Sequence, residues 1–185
     1  DDVDVEPTDA DDPRPYRPEP AREWRRAPRR EAFAAAVDHA AGAPVLEAPA
    51  LIGGERVETG RTLESVDPGR PDRVVATAAA CGAAEADDAV AAATRVAGEW
   101  ADTPAAERAG VLFRAAAWMR DRRDALAAQQ VLEVGKPWAD ADADVCEAID
   151  FCEYYARESL RLDAGGAVQS PAGERNELRY AAKGV

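Results

Sequence analysis

The stretch KPWADADADVCEAIDFCEYYARE, residues 136 to 158, constrains this chain more than any other part of it. After Pro137 neither Gly nor Pro recurs until Gly165, which predicts one long helix from about Ala139 to Leu162. At about 100° per residue, Val145, Ile149, Cys152, Ala156 and Leu160 stack on one face. Glu147, Phe151, Tyr154 and Glu158 stack on the face roughly opposite. A helix apolar on two sides is ordinarily buried on two sides. Glu147 is therefore expected to be partly buried, and buried carboxylates are costly unless paired or used. Two readings of it stand side by side. One is a helix-surface glutamate touching an aromatic edge. The other is a carboxylate lining a pocket, positioned by Phe151 and Tyr154.

Three further helices are expected ahead of this one. In AEADDAVAAATRVAGEW the positions Ala89, Val90, Ala93, Val96, Ala97 and Trp100 fit helical spacing. DTPAAERAGVLFRAAAWMRDRR opens with Thr103 as N-cap and Pro104 at the first helical position, with Val111, Leu112, Ala115, Trp118 and Met119 as its core stripe. DALAAQQVLEVGKP is stopped by Gly135 and Pro137. Nearer the amino terminus, residues 29 to 42 read as a short helix closed by Gly42. Residues 50 to 80 read as a small meander, with turns at Gly53-Gly54 and around Asp67-Pro68-Gly69. The expected fold class is α/β.

The ends differ in kind from the middle. Residues 1 to 12 hold seven acids and no base, an acidic tail. Residues 13 to 30 hold seven arginines and five prolines, an extended arm that Trp24 is placed to pin to a surface. Residues 165 to 185 look like two strands around Pro171-Ala172-Gly173. The chain opens on Asp1 and closes on AAKGV without a cap or a polar tail, so it is expected to be a piece of something longer.

Composition excludes several classes of function. A net charge of -13 argues against binding a phosphate backbone, which needs clustered Lys and Arg. No apolar run approaches the ~18 residues of a membrane span, and nothing resembles a signal peptide. Cys81, Cys146 and Cys152 have no disulfide-framework spacing, which places the chain in a reducing cytoplasm. Neither Cys146 nor Cys152 has a base provided by a motif, so both read as packing residues. DADAD at 140 to 144 mimics a calcium loop, but Val145 stands where a Gly is required and Phe151 where a bidentate Glu is required. These acids favour the helix N-terminus instead. No G-x-G-x-x-G or G-x-x-x-x-G-K-[ST] pattern occurs anywhere, so no nucleotide loop is visible.

Several segments taken together resemble the amino-terminal part of an aldehyde dehydrogenase. They are LIGGERVETGRTLESVDPGRPDRVVA (51 to 76), WADTPAAERAGVLFRAAAWMRDRRDALAA (100 to 128) and EVGKPWADADADVCEAIDFCEYYARE (133 to 158). The last is the most specific: a pattern ADVxEAIDFxEYYARE looks like the branch that oxidises L-glutamate γ-semialdehyde. PEPAREWRRAPRREAFAAAV (18 to 37) is similar to that branch's arm, and SPAGERNELRYAAKGV (170 to 185) to its oligomerisation hairpin.

The resemblance implies an NAD-dependent oxidation of an aldehyde to an acid. A cysteine attacks the aldehyde, hydride passes to NAD, and a glutamate-activated water releases the product, with an asparagine and a backbone amide at the oxyanion. None of those groups lies in these 185 residues: P-W-N-F-P and GQxC are both missing. By the same resemblance, residues 1–28 are a tail and arm and 29–164 the amino-terminal part of an NAD-binding domain. Residues 165–185 are then the start of an oligomerisation β hairpin. Glu147 falls where the branch has a glutamate beside its aldehyde tunnel, with Phe151 next to it, and the complete enzyme is expected to be a homo-oligomer. A proline dehydrogenase domain ahead of it is compatible with the internal start. Two other readings remain open, a dehydrogenase of another substrate branch and a non-catalytic short protein binding a partner through helices and exposed strand edges.

Overall fold

A computed structural model describes residues 8–11, 14–181 and 183–185. Most of the acidic tail therefore lies outside the described residues. Helix α1 (Ala27–Gly42) starts with Pro28 in its first turn, where a missing N–H is no loss. Strands β1 (Leu46–Ala48), β2 (Ala50–Ile52), β3 (Glu55–Val57), β4 (Thr62–Asp67) and β5 (Arg70–Ala79) follow. Then come α2 (Ala83–Asp102), α3 (Ala105–Asp121), α4 (Arg123–Val134) and α5 (Trp138–Asp163). The α/β class and the turns read from the sequence are present.

The meander is divided into two sheets. β2 and β3 form a hairpin of their own, turned by Gly53 at φ 62° and Gly54 at φ 85°. Consecutive positive φ values define the type I′ turn that suits a hairpin's twist, and two glycines adopt them without strain. β4 and β5 are joined at Pro68-Gly69 and pair antiparallel, with a register shift at Ser65–Asp67. The other side of β5 is taken by β1, running parallel, with Leu46 opposite Ala76. Sequence reading missed β1 because three residues give no usable alternation.

The core lies among α1, α3, α4 and α5. Phe33, Ala116, Ala127, Ala141, Val145 and Ile149 form its buried centre, with Trp24, Met119, Trp138 and Cys152 packed around it. A second cluster joins Ala109 and Phe113 of α3 to Ala156 of α5, with Leu160 beside it. Alanine at so many of these positions lets helices approach closely. The aliphatic stripe predicted for α5 is the buried one. Glycine at 135, φ 68°, closes α4 by donating its N–H to Val131 O at 3.1 Å, and Pro137 starts α5 two residues later.

The stripes expected for α2 and α3 hold only in part: Leu112 and Met119 of α3 do pack against the buried clusters. In α3 the buried residues are Ala105, Ala109, Phe113 and Ala116, whereas Val111 and Trp118 face solvent. In α2 only Ala92 is buried, and Val90, Val96 and Trp100 are exposed. Bulk alone misled the reading: α3 buries three alanines alongside Phe113 and leaves Trp118 under the Arg122 guanidinium, 4.7 Å from the ring centroid. Thr103 does not cap α3 either. Its hydroxyl donates to Glu99 O at 2.8 Å and finishes α2.

The segment after α5 shows the expected turn, with Glu174 N–H donating to Pro171 O at 3.0 Å, but no strand among the described residues. Asn176 closes the loop by donating to Ser170 Oγ and Gln169 O. Described residues from 166 to 181 are all exposed, Val168, Leu178 and Tyr180 included, so the two arms of the turn bury no apolar face, and a lone hairpin is marginal.

Candidate functional site

The arm ahead of α1 is held as a strap against one flank of α5 by buried ion pairs. Asp142 and Glu153 lie eleven residues apart, about three turns, and so share that flank. Both are buried. Arg123 grips Asp142 with Nε at 2.6 Å from Oδ1 and Nη2 at 2.8 Å from Oδ2. Glu153 accepts from Arg120 Nη2 at 3.2 Å and Arg157 Nη1 at 2.7 Å. Between them the strap inserts Glu19, whose carboxylate meets Arg120 Nε at 3.0 Å and Arg123 Nη1 at 3.5 Å. Arg123 also donates to Pro20 O at 3.0 Å, and Glu19 N–H donates to Asp150 Oδ1 at 2.7 Å. Further along, Arg22 and Arg29 both pair with Asp124. Trp24 fills a cage with Phe33 and Trp138, ring centroids 5.2 and 6.4 Å away, so it pins the arm as expected.

Between strap and helix lies a groove of about 500 Å³. The strap contributes Glu19, Ala21, Arg22 and Trp24; α5 contributes Asp142, Asp144, Glu147 and Asp150 among others. Glu147 thus lines a pocket. It is not buried, however, and neither is Phe151, which is 51% exposed. The expectation that α5 is covered on both sides is corrected: its aromatic face is open. Phe151 is not among the residues lining the groove and stacks on Tyr155 at 5.8 Å, interplanar angle 17°. Tyr154 meets Tyr16 of the strap edge-on at 5.5 Å. Glu147 and Phe151 therefore share a helix face while standing in different surroundings.

The acids of DADAD have separate partners. Asp140 lies in the first turn of α5, Asp142 pairs with Arg123, and Asp144 contacts Lys136. Among the described residues no group of three or more His, Cys, Asp or Glu is placed to hold a metal ion, and no helix is long and apolar enough to cross a membrane. All three cysteines are free. Burial pushes the Cys146 thiol up to about 11, against a smaller opposing pull from Arg123, and burial also raises Cys152. Both stay protonated near neutrality and are poor nucleophiles. The residues that sequence reading missed are Glu19, Arg120, Arg123 and Asp142. The eleven-residue spacing of Asp142 and Glu153 along a buried face was the available signal.

The aldehyde dehydrogenase family model matches residues 56–185, more than half of the chain. The chain belongs to the aldehyde dehydrogenase family. Among its curated relatives, this aldehyde dehydrogenase chain is 42% identical over 171 residues to the 1-pyrroline-5-carboxylate dehydrogenase of Bacillus pumilus (strain SAFR-032). That match covers 92% of the chain and 33% of the relative. Among solved structures it is similar to a 1-pyrroline-5-carboxylate dehydrogenase from Thermus with bound NAD, at TM-score 0.83 and 42% identity, covering 91% of this chain and 33% of that one. It is also similar to proline utilization A from Bdellovibrio bacteriovorus, at TM-score 0.78 and 31% identity, covering 88% of this chain and 17% of that one. This aldehyde dehydrogenase chain spans about a third of the length of the curated relatives it matches.

Proposed function

We propose that the chain is the amino-terminal third of an NAD-dependent dehydrogenase that oxidises L-glutamate γ-semialdehyde to L-glutamate in proline catabolism. The observation that carries this is 42% identity across 92% of the chain to a 1-pyrroline-5-carboxylate dehydrogenase. The likeness to the Thermus structure at TM-score 0.83 supports it in three dimensions. In this reading residues 29–164 are the amino-terminal part of the NAD-binding domain, and 165–185 begin an oligomerisation hairpin in a cytoplasmic homo-oligomer. The substrate is a small-molecule aldehyde.

The start of α2 does not fit the pyrophosphate of NAD. A pyrophosphate is bound by free backbone N–H groups at a helix start. At the start of α2 the Gly82 N–H is already taken by the Glu85 carboxylate at 2.6 Å, and that negative charge opposes a phosphate. NAD would be held by the remaining two thirds of the enzyme, and no cofactor step falls to these residues. Their proposed part is on the substrate side. Glu147 supplies a carboxylate that meets the substrate or water ordered beside it, and Phe151 an apolar wall.

The test is the complete protein encoded by the gene, assayed for NAD reduction with 1-pyrroline-5-carboxylate and with a panel of other aldehydes. Preference for the first is expected. Preference for another aldehyde moves the chain to a different branch of the family, and turnover of none removes the reading. The 185-residue chain alone is expected to oxidise no aldehyde; turnover surviving purification controls would overturn the division of labour.

A further inference from the structure

The buried network around Glu19 is more than a way of fastening an arm. Trp24, caged by Phe33 and Trp138, already does that. Burying charged groups is expensive, and even well-paired ones return little net stability. Fixing a register is the best attested use of such pairs. Glu19 has the contacts to do so. Its carboxylate, 4% exposed, is held by Arg120 of α3 and Arg123 of α4, while its main-chain N–H is held by Asp150 of α5. One residue thereby ties the strap to three helices. The next residues of the strap, Ala21, Arg22 and Trp24, form the wall of the groove that faces Glu147. Moving Glu19 moves that wall.

We propose that Glu19 is a positioning residue. By gripping Arg120, Arg123 and Asp150 it seats the strap as the second wall of the Glu147 groove and so fixes what the Glu147 carboxylate meets. This rests on the reading of Glu147 as substrate-proximal given above. Glu19 touches no reacting atom; it acts through the strap.

The experiment uses the complete protein and a double-mutant cycle of Glu19→Gln and Glu147→Gln, read as kcat and KM for the aldehyde. Glu19→Gln is expected to lower kcat/KM roughly ten- to a hundredfold, the scale of a small misplacement near a site. The double variant is expected to lose no more than the poorer single one, because both act on one contact. Additive losses overturn the proposal. Glu19→Asp, which keeps the charge, is expected to recover most of the loss; if the Gln variant fails to fold, Arg120→Lys, which loosens the same grip from the other side, takes its place in the cycle. An Asp variant no better than Gln overturns the electrostatic grip. Native-state trypsin digestion gives a readout besides activity: the strap of Glu19→Gln is expected to be cut faster than wild type at its arginines. Unchanged cutting overturns the seating. If the unsubstituted protein oxidises no aldehyde, the reading of function fails and this role with it, while the trypsin result still reports whether Glu19 seats the strap.

Discussion

Arg123 and Asp142 face each other through two parallel hydrogen bonds, 2.6 and 2.8 Å, with both side chains at least 95% buried. The guanidinium matches the carboxylate in shape as well as charge, which a lysine would not. The pair joins the first residue of α4 to the first turns of α5.

Removing one partner leaves the other buried with only its weaker counter-charge, Glu19 at 3.5 Å for Arg123 and Arg22 at 3.6 Å for Asp142. Asp142→Ala is therefore expected to destabilise the complete protein by about 3–5 kcal/mol, and Arg123→Lys to recover only part of what Arg123→Ala loses. Replacing both residues with apolar ones of similar volume is expected to be much milder than either single removal. Urea unfolding of the four variants checks the order.

Cys146 gives a pH dependence with a definite sign. Burial raises its pKa from 9.0 to about 11, so between those values the folded chain binds a proton that the unfolded chain has released. Stability from this group is complete below about pH 9 and is lost as pH rises through about 11. Cys146→Ala is expected to show a shallower fall in stability across that window than wild type, by thermal unfolding at stepped pH. The same burial predicts thiol kinetics: at pH 8, Cys81, which is exposed, reacts with a disulfide reagent well before Cys146.

Phe33, fully buried, touches both Trp24 and Trp138 edge-on with centroids 5.2 Å away. It brings α1, the strap and the start of α5 together in one aromatic cage. Phe33→Ala is expected to destabilise by about 3–5 kcal/mol. Because it empties the cage of Trp24, it is also expected to red-shift tryptophan emission in the folded protein. A Phe33→Leu variant, which leaves less void, should lose clearly less.

Elements with a long period were legible in the sequence. α5 carries seven turns of pattern, and its buried stripe followed from spacing alone. The Gly53-Gly54 hairpin was legible because a type I′ turn needs a residue chemistry that two glycines announce. What failed did so for a common reason: the deciding partner lies far away in the chain. β1 exists because β5, thirty residues on, offers it an edge. The face of α3 is chosen by Phe113 and the alanines that fit against α5, not by Val111 and Trp118. Glu19 is one of two acids in a basic arm, and its buried place depends on arginines a hundred residues downstream. Glu147 was expected to be enclosed because its helix has two apolar faces; here one of them is open.

Exposure of Glu147 sharpens what its removal should do. It is exposed on α5, and it is not part of the Arg120–Arg123 network. A surface substitution of that kind is ordinarily worth within about 0.5 kcal/mol of stability. If Glu147 meets substrate, as proposed, Glu147→Ala in the complete enzyme lowers turnover substantially at almost unchanged melting temperature. Phe151→Ala, removing an exposed apolar wall, is expected to act on KM more than on kcat, because it takes away binding common to substrate and transition state. Steady-state kinetics and a melting curve on each variant separate the cases. Loss of stability with turnover preserved would return Glu147 to packing and leave the groove without a chemical role.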